Sequence, residues 1–458
     1  MEYISTRNKN LNYNFKEIFL RGLAPDGGLF IPKKIKTFNK SEIDELSKLS
    51  YINLATEVIS LFCSPEVDKN NLKKVIKKSY KSFITEEVIK IKKVGDVNLV
   101  ELYHGPTLAF KDIAMQVLGN LYDELKVSSD KAVNIVVATS GDTGSAAIAA
   151  LNDRKNINVF VLHPHNKISK IQRKIMTTIG SSNIYNVAIK GTFDDCQKIV
   201  KEMFNENTFR EKINMSGVNS INWARIVCQI VYYFYSAFKF QNKKISFSVP
   251  TGNFGDIYAG YVAKKMGLPI EKLIVATNEN DILERVINSG VYKPSKVKPS
   301  LSPSMDVQIS SNFERLLFDV LNEDDKEVSI CMNNLKSKGS FFLNSEQIAI
   351  IKKDFSAKKT NDKETLEIIK NFSKKYNFLL DPHTATAVGA SKDIKDGSEI
   401  LILGTAHPYK FLETIKMATS QEVEAPKQIV HLMDRKENYD ILENNINDIK
   451  NYILGKIS

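Results

Sequence analysis

The chain has 458 residues, 43% hydrophobic and 26% charged, the balance of a folded, soluble protein with two or three domains. Its 64 Lys and Arg outnumber its 53 Asp and Glu, for a net charge of +11, but no compact basic arm carries that charge, so no nucleic-acid partner is expected. Four scattered cysteines without a CxxC pair, a polar start "MEYISTRNKN" and no apolar run longer than "IVCQIVYYFYSAF" argue against zinc, disulfides, a secretory leader and a membrane span of ~18–20 residues. The expected compartment is the cytoplasm.

Residues 1–95 read as a mainly helical N-terminal region, broken by a turn at Gly27 and Gly28 in "APDGGLFIP". Within it, "NNLKKVIKKSYKSF" sets Leu72, Ile76, Tyr80 and Phe83 at helical spacing, which makes its lysines the wet side of an amphipathic helix. From about residue 95 onward, β-branched runs alternate with helical ones. Strands are expected at Val97–Tyr103, Val133–Ala138, Ile245–Val249 and Glu399–Leu403, with helices starting near Ser145 and Asp256. That grammar predicts an α/β fold of two open, largely parallel sheets with flanking helices. The expected division is 1–95, 96–240 and 241–458, with segments exchanged between the last two. The tail from Tyr439 has Ile441, Leu442, Ile446, Ile449 and Ile453 near helical spacing and is predicted to dock as a final helix.

Two strand-to-helix loops combine glycines with hydroxyl and amide side chains: "SGDTGS" (Ser140–Ser145) and "TGNFGD" (Thr251–Asp256). Glycine lets backbone N–H groups approach a ligand, and the helix N-terminus behind adds partial positive charge, so each loop can cradle an anion. Neither has a dinucleotide or Walker-type fingerprint. A site with two anions is implied, at the carboxyl ends of the strands.

Lys111 stands in the apolar stretch "YHGPTLAFKDIAMQ". Either it snorkels, with its head in solvent, or it is a nucleophilic amine in a desolvated site. A helix starting near Thr107 or Leu108 puts it in the first turn, where the macrodipole opposes an ammonium by roughly 0.3–1 kcal/mol. That is too little to neutralise a group of pKa ~10.4 without burial or a covalent bond. A lysine, two anion loops and an α/β frame are the parts of a pyridoxal-phosphate enzyme.

The motifs "HGPTLAFKD", "ATSGDTGSAA", "NSINWARI", "VPTGNFGDIYAG", "SPSMDVQISSNFERL", "DPHTATAVG" and "GTAHPYKF" occur in that order from His104 to Phe411. With "GLAPDGGLFIP" they closely resemble the threonine synthase family of fold-type II pyridoxal-phosphate enzymes. The resemblance implies that Lys111 is the imine-forming lysine and that Gly252, Asn253, Phe254, Gly255 and Asp256 hold the phosphate of pyridoxal 5'-phosphate. It implies that Thr405 faces the pyridine nitrogen and that Ser140, Gly141, Asp142, Thr143 and Gly144 close on the substrate carboxylate. Asp112 and Asp142 stand where relatives often carry Asn, which leaves open which group bonds the cofactor's 3-hydroxyl.

The family's reaction converts O-phospho-L-homoserine and water to L-threonine and phosphate. For the leaving phosphate Arg225 is the candidate, since guanidinium matches phosphate bidentately, with Asn222 assisting; an outward arginine on an amphipathic helix is the competing explanation. A phospho-lyase on the same substrate, a serine/threonine dehydratase and a non-catalytic basic binding protein are the other functions weighed. His104, His407 and the His163–Pro164–His165 pair invite acid–base or metal roles, but no carboxylate or cysteine stands near the pair at a ligand spacing; His104 and His407 read as scaffold residues. No metal is expected, and the chain is expected to work as a monomer or homodimer.

Overall fold

The structure is a computed structural model that describes residues 1–125, 131–240 and 243–457. The β-branched runs form two sheets. The larger has six strands in the order Phe355–Lys359, Ile270–Thr277, Ile245–Pro250, Glu399–Gly404, Val97–Glu101 and Lys90–Val94. All its pairings are parallel except the last. The smaller sheet is parallel throughout, in the order Asp440–Glu443, Ile184–Lys190, Ile157–Pro164, Val133–Ala138 and Met215–Ser216. Parallel strands buried on both faces need near-continuous apolar runs, and "VNIVVA" and "ISFSVP" are buried along almost their whole length.

The longest apolar stretch of the sequence lies in the helix Trp223–Phe238, buried from Trp223 to Ala237. It packs against the helices Tyr51–Cys63, Lys111–Glu124 and Gly255–Lys265, so its apolar residues on every side are those of a central helix. Among the described residues no helix is long and apolar enough to cross a membrane.

The N-terminal region contains the helices Phe15–Arg21, Lys40–Ser47, Tyr51–Cys63 and Lys69–Ser79. It also holds an antiparallel sheet of Tyr3–Ser5, Asn8–Tyr13 and Phe30–Pro32, which helical periodicity did not reveal. Gly28 sits so close to the first strand that a Cβ there would lie 2.2 Å from Ser5 Oγ. The border expected after residue 95 falls in a hairpin turn, because Lys90–Val94 pairs with Val97–Glu101. Residue 241, where the next border was expected, lies outside the described residues. Segments cross between the two larger units: Val97–Glu101 joins the sheet built from residues after 245, while Asp440–Glu443 joins the other.

The tail corrects its expectation. Its first part is the strand Asp440–Glu443, which exposes Ile441; only Ile446–Ile457 is helical. Two strand residues within reach of an apolar helix repeat gave the false period. Ile449 and Ile453 are both 0% exposed and share one buried cluster with Val136, Phe160 and Leu162. Truncating Ile453 to Ala removes buried methyl groups and is expected to cost about 2–5 kcal/mol, read as a lower urea midpoint; an unchanged midpoint would show that this helix is not docked in solution.

Candidate active site

The carboxyl ends of both sheets face a cavity of about 700 Å³. Its wall contains Lys111, Ser140, Asp142, Thr143, Arg225, Gly252, Asn253, Phe254, Gly255, Asp256 and Thr405. Three residues expected at the site are set back from that wall. Gly141, at φ +132°, and Gly144 donate their backbone N–H groups to Thr139 Oγ1, each at 2.9 Å. Asn222 caps the helix Trp223–Phe238: its Oδ1 accepts from Ala224 N at 3.1 Å, and its amide donates to Phe19 O and Gly217 O. With both ends of its amide committed, Asn222 has no free group to turn on a substrate.

The helix of Lys111 starts later than its sequence suggests. Leu108 takes φ +60°, a left-handed conformation no helix continues through, so the helix runs from Lys111 to Glu124. Lys111 is thus its first residue, and its side chain, 12% exposed, reaches Asp142 Oδ2 at 3.3 Å. Here the two readings of this lysine separate: the amine enters the cavity wall and does not snorkel into solvent. Burial pushes the ammonium below its ordinary range; Asp142 opposes that shift, while the Lys410 and Arg225 cations add to it.

Asp142 is the centre of the site. Its Oδ1 lies 2.6 Å from Lys410 Nζ and accepts from Gln172 Nε2 at 3.0 Å. Its Oδ2 accepts from Ser304 Oγ at 3.1 Å as well as from Lys111. Burial works against this carboxylate, yet Lys410 and Lys111 hold it well below the usual range. His383 faces the same cluster, with Nδ1 3.1 Å from Asp381 Oδ1 and Nε2 accepting from Ser304 N (3.2 Å). Lys410, Gln172, Ser304 and His383 were not singled out from the sequence. All but Gln172 stand inside quoted motifs, whose spelling was the available signal.

Of the two aspartates that stand where relatives often carry Asn, only Asp142 is in the wall. Asp112 turns away to accept from Thr107 N and Oγ1 at 2.8 and 2.6 Å, and burial pushes its carboxyl up to about 6. In the second loop, Phe254 takes φ +63° and the helix Gly255–Lys265 begins behind it. A Cβ on Gly252 would lie 2.8 Å from Ser304 O, so this loop approaches the turn around Ser304 as only glycine allows. Asp256 Oδ1 accepts from the hydroxyls of Tyr232 and Tyr233, its Oδ2 has no protein partner, and burial pushes it up to about 6. Arg225, 3% exposed, donates Nη1 to Val218 O at 3.3 Å and leaves Nε unpartnered; burial brings the guanidinium down to about 10.

The other histidines lie elsewhere. His104 Nε2 pairs with Glu101 at 3.0 Å, and His407 Nδ1 accepts from Tyr409 N at 3.2 Å, both scaffold contacts. His163 is buried in a strand, and burial takes it down to about 4. Among the described residues, no group of three or more His, Cys, Asp and Glu could hold a metal ion.

Comparisons with known proteins identify the family. Residues 2–80 match the family described as threonine synthase N terminus, residues 90–334 that of pyridoxal-phosphate dependent enzymes, and residues 384–453 that of threonine synthase, C-terminal. The threonine synthase of Pseudomonas aeruginosa is 42% identical, over 99% of this chain and 98% of its own length. That of Saccharomyces cerevisiae is 44% identical, over 91% and 89%. The crystal structure of pyridoxal-phosphate-bound threonine synthase from Brucella melitensis superposes with a TM-score of 0.95 at 42% identity, over 100% of this chain and 99% of that one. Fold and matches define a pyridoxal-phosphate-dependent enzyme of fold type II. Within that class, the chain belongs to the threonine synthase family.

The residues present suit such a cofactor. An aldehyde needs an amine, which Lys111 presents. A phosphate needs N–H groups, which the helix start at Gly255 offers. Because Asn222 acts as a cap, Asn222→Ala is expected to lower stability by about 0.5–2 kcal/mol and leave KM for the substrate unchanged. Thermal unfolding and steady-state kinetics check both; a raised KM in a fully stable variant would return Asn222 to the binding site.

Proposed function

We propose that the chain converts O-phospho-L-homoserine and water to L-threonine and phosphate, using pyridoxal 5'-phosphate. The observation that carries this reading is the buried Lys111 amine, which shares one cavity with the loops Ser140–Ser145 and Thr251–Asp256, in a chain of the threonine synthase family. When bound, the cofactor supplies an electron sink that makes the protons on the substrate's Cα and Cβ removable.

The chain's own residues divide the remaining work. The turn Gly252–Asp256 and the helix behind it would hold the cofactor's phosphate, and Lys111 its aldehyde carbon. Thr405 would meet the ring nitrogen with a hydroxyl, which does not enforce its protonation as a carboxylate does. Ser140 and Thr143, at the start of the helix Asp142–Leu151, would hold the substrate carboxylate, with the helix dipole in support. Asp142, held by Lys410, Gln172, Ser304 and Lys111, would meet the cofactor's 3-hydroxyl. Lys111, once freed, carries protons at Cα and Cβ, a role open to an amine whose burial disfavours its charge. Arg225 takes the substrate's phosphate through the guanidinium edge that has no protein partner. Closure of the two loop-bearing units over the substrate would limit premature entry of bulk water.

The test is incubation of the holoenzyme with O-phosphohomoserine in oxygen-labelled water, following phosphate and amino acid together. Equal amounts of phosphate and threonine, with the label on the Cβ hydroxyl, are expected; 2-oxobutanoate with ammonia would instead mark a phospho-lyase or dehydratase of the same fold. Lys111→Ala is expected to abolish turnover. Arg225→Ala removes charge-assisted hydrogen bonds worth about 1.5–3 kcal/mol, so KM should rise roughly ten- to a hundredfold. An unchanged KM would remove Arg225 from the phosphate.

A further inference from the structure

We propose that Lys410 is a positioning residue for this reaction: held on the second oxygen of Asp142, it lets Lys111 shed its proton without leaving a buried carboxylate alone. The proposal rests on Lys111 being the proton carrier. Lys410 lies in the short turn Pro408–Phe411 and is 0% exposed. A lysine so buried needs compensation, and its Nζ finds two acceptors, Asp142 Oδ1 at 2.6 Å and Thr107 O at 2.9 Å. The same carboxylate meets Lys111 through Oδ2 at the longer distance of 3.3 Å. One anion therefore serves two cations, and the shorter contact belongs to the lysine that has no access to the cavity.

The consequence follows from desolvation. A buried carboxylate whose only counter-ion must lose its charge is left uncompensated, a state that structures resist by keeping the counter-ion protonated. Were Lys111 the sole partner of Asp142, its proton would be held against removal. Lys410 supplies a cation that takes no part in the chemistry, so Asp142 stays paired whether Lys111 is charged or neutral. As a like charge, it also favours the neutral amine. Its contact with Thr107 O acts on the turn just before Lys111, the same turn that Asp112 ties from the other side.

Other charged groups face the cluster and bear on its titration. Arg225, from the helix Trp223–Phe238, disfavours the Lys111 ammonium as Lys410 does. Asp256, in the phosphate loop, interacts with Lys111, and Asp112, in Lys111's own helix, with Lys410. His383, tied to Asp381, acts on Asp142, and His407 feels Lys410. Among these, only Lys410 and Lys111 form ion pairs with Asp142.

Removing the Lys410 charge withdraws a like charge from Lys111 and leaves Asp142 wholly to it, so both effects raise the Lys111 ammonium. The test is the pH dependence of acylation of Lys111 in the full chain stripped of cofactor, read by peptide mass spectrometry. Lys410→Met and Lys410→Gln are expected to move the midpoint upward by about one pH unit or more, a roughly tenfold slower labelling at a fixed pH below the midpoint. Lys410→Arg, which keeps the charge, should retain the wild-type midpoint. In the holoenzyme the acid limb of kcat should move in the same direction. If the Met variant does not fold, Gln carries the test, because it keeps an amide donor for Asp142 and Thr107. If neither folds, Asp142→Asn carries it: with the shared carboxylate gone, the Lys111 midpoint must fall. A midpoint unmoved in any of the folded neutral variants, or in Asp142→Asn, overturns the proposal and leaves the proposed function standing. A wild-type enzyme that makes no threonine would overturn the function and not this titration.

Discussion

One buried carboxylate holding two lysines is the constraint on which the site depends. Asp142 comes from the loop after Val133–Ala138 in the smaller sheet. Lys111 and Lys410 come from segments that follow Val97–Glu101 and Glu399–Gly404, neighbouring strands of the larger sheet. The ion cluster therefore joins the two sheets at the point where both end, and Gln172 and Ser304 add a neutral contact from each side. Desolvating three charges is costly, and only good geometry with further hydrogen bonds offsets it. Such a cluster contributes more to defining a unique arrangement of the two sheets than to net stability.

The second loop is supported from a different direction. Arg315 is 0% exposed and donates to Phe30 O at 3.0 Å, to Ile221 O at 2.6 Å and to the side chain of Asn312. Asn312 in turn donates to Asn253 O at 2.9 Å. Next to it, Glu314 binds Arg7 through both oxygens and Thr6 at 2.7 Å. The N-terminal region is thus not a bystander. Its small sheet and the helix Phe313–Val320 brace the loop that would carry the cofactor's phosphate, which gives a physical reason for the two to occur in one chain.

Much of this was legible in the sequence, because parallel-sheet strands and glycine-bearing loops are local features. Val133–Ala138 appears with its expected bounds, and Ile245–Pro250 and Glu399–Gly404 differ by one residue. The loops around Asp142 and Gly255 reach one cavity, as their shared construction implied. What failed to show was non-local. The start of the Lys111 helix depends on the conformation of Leu108, and the strand Asp440–Glu443 exists only because Ile184–Lys190 offers it an edge. Lys410, in a chain with 64 basic residues, carries no mark of its burial; its partner is far away in sequence. Asn222 had the right neighbours for a ligand residue, yet its amide was already spent on backbone groups of Phe19 and Gly217.

The pairing of Asp440–Glu443 with Ile184–Lys190 also ties the end of the chain to its middle. Until Asp440–Glu443 has been made and has docked, Ile184–Lys190 is an open parallel edge, and such an edge is a template for pairing with other chains. The helix Ile446–Ile457 then covers Val136 and Phe160 beneath it. A chain made only as far as the turn Pro408–Phe411 would already have every residue of the cavity wall but a smaller sheet still lacking one of its strands, so a complete site and a finished fold are separate events in this molecule.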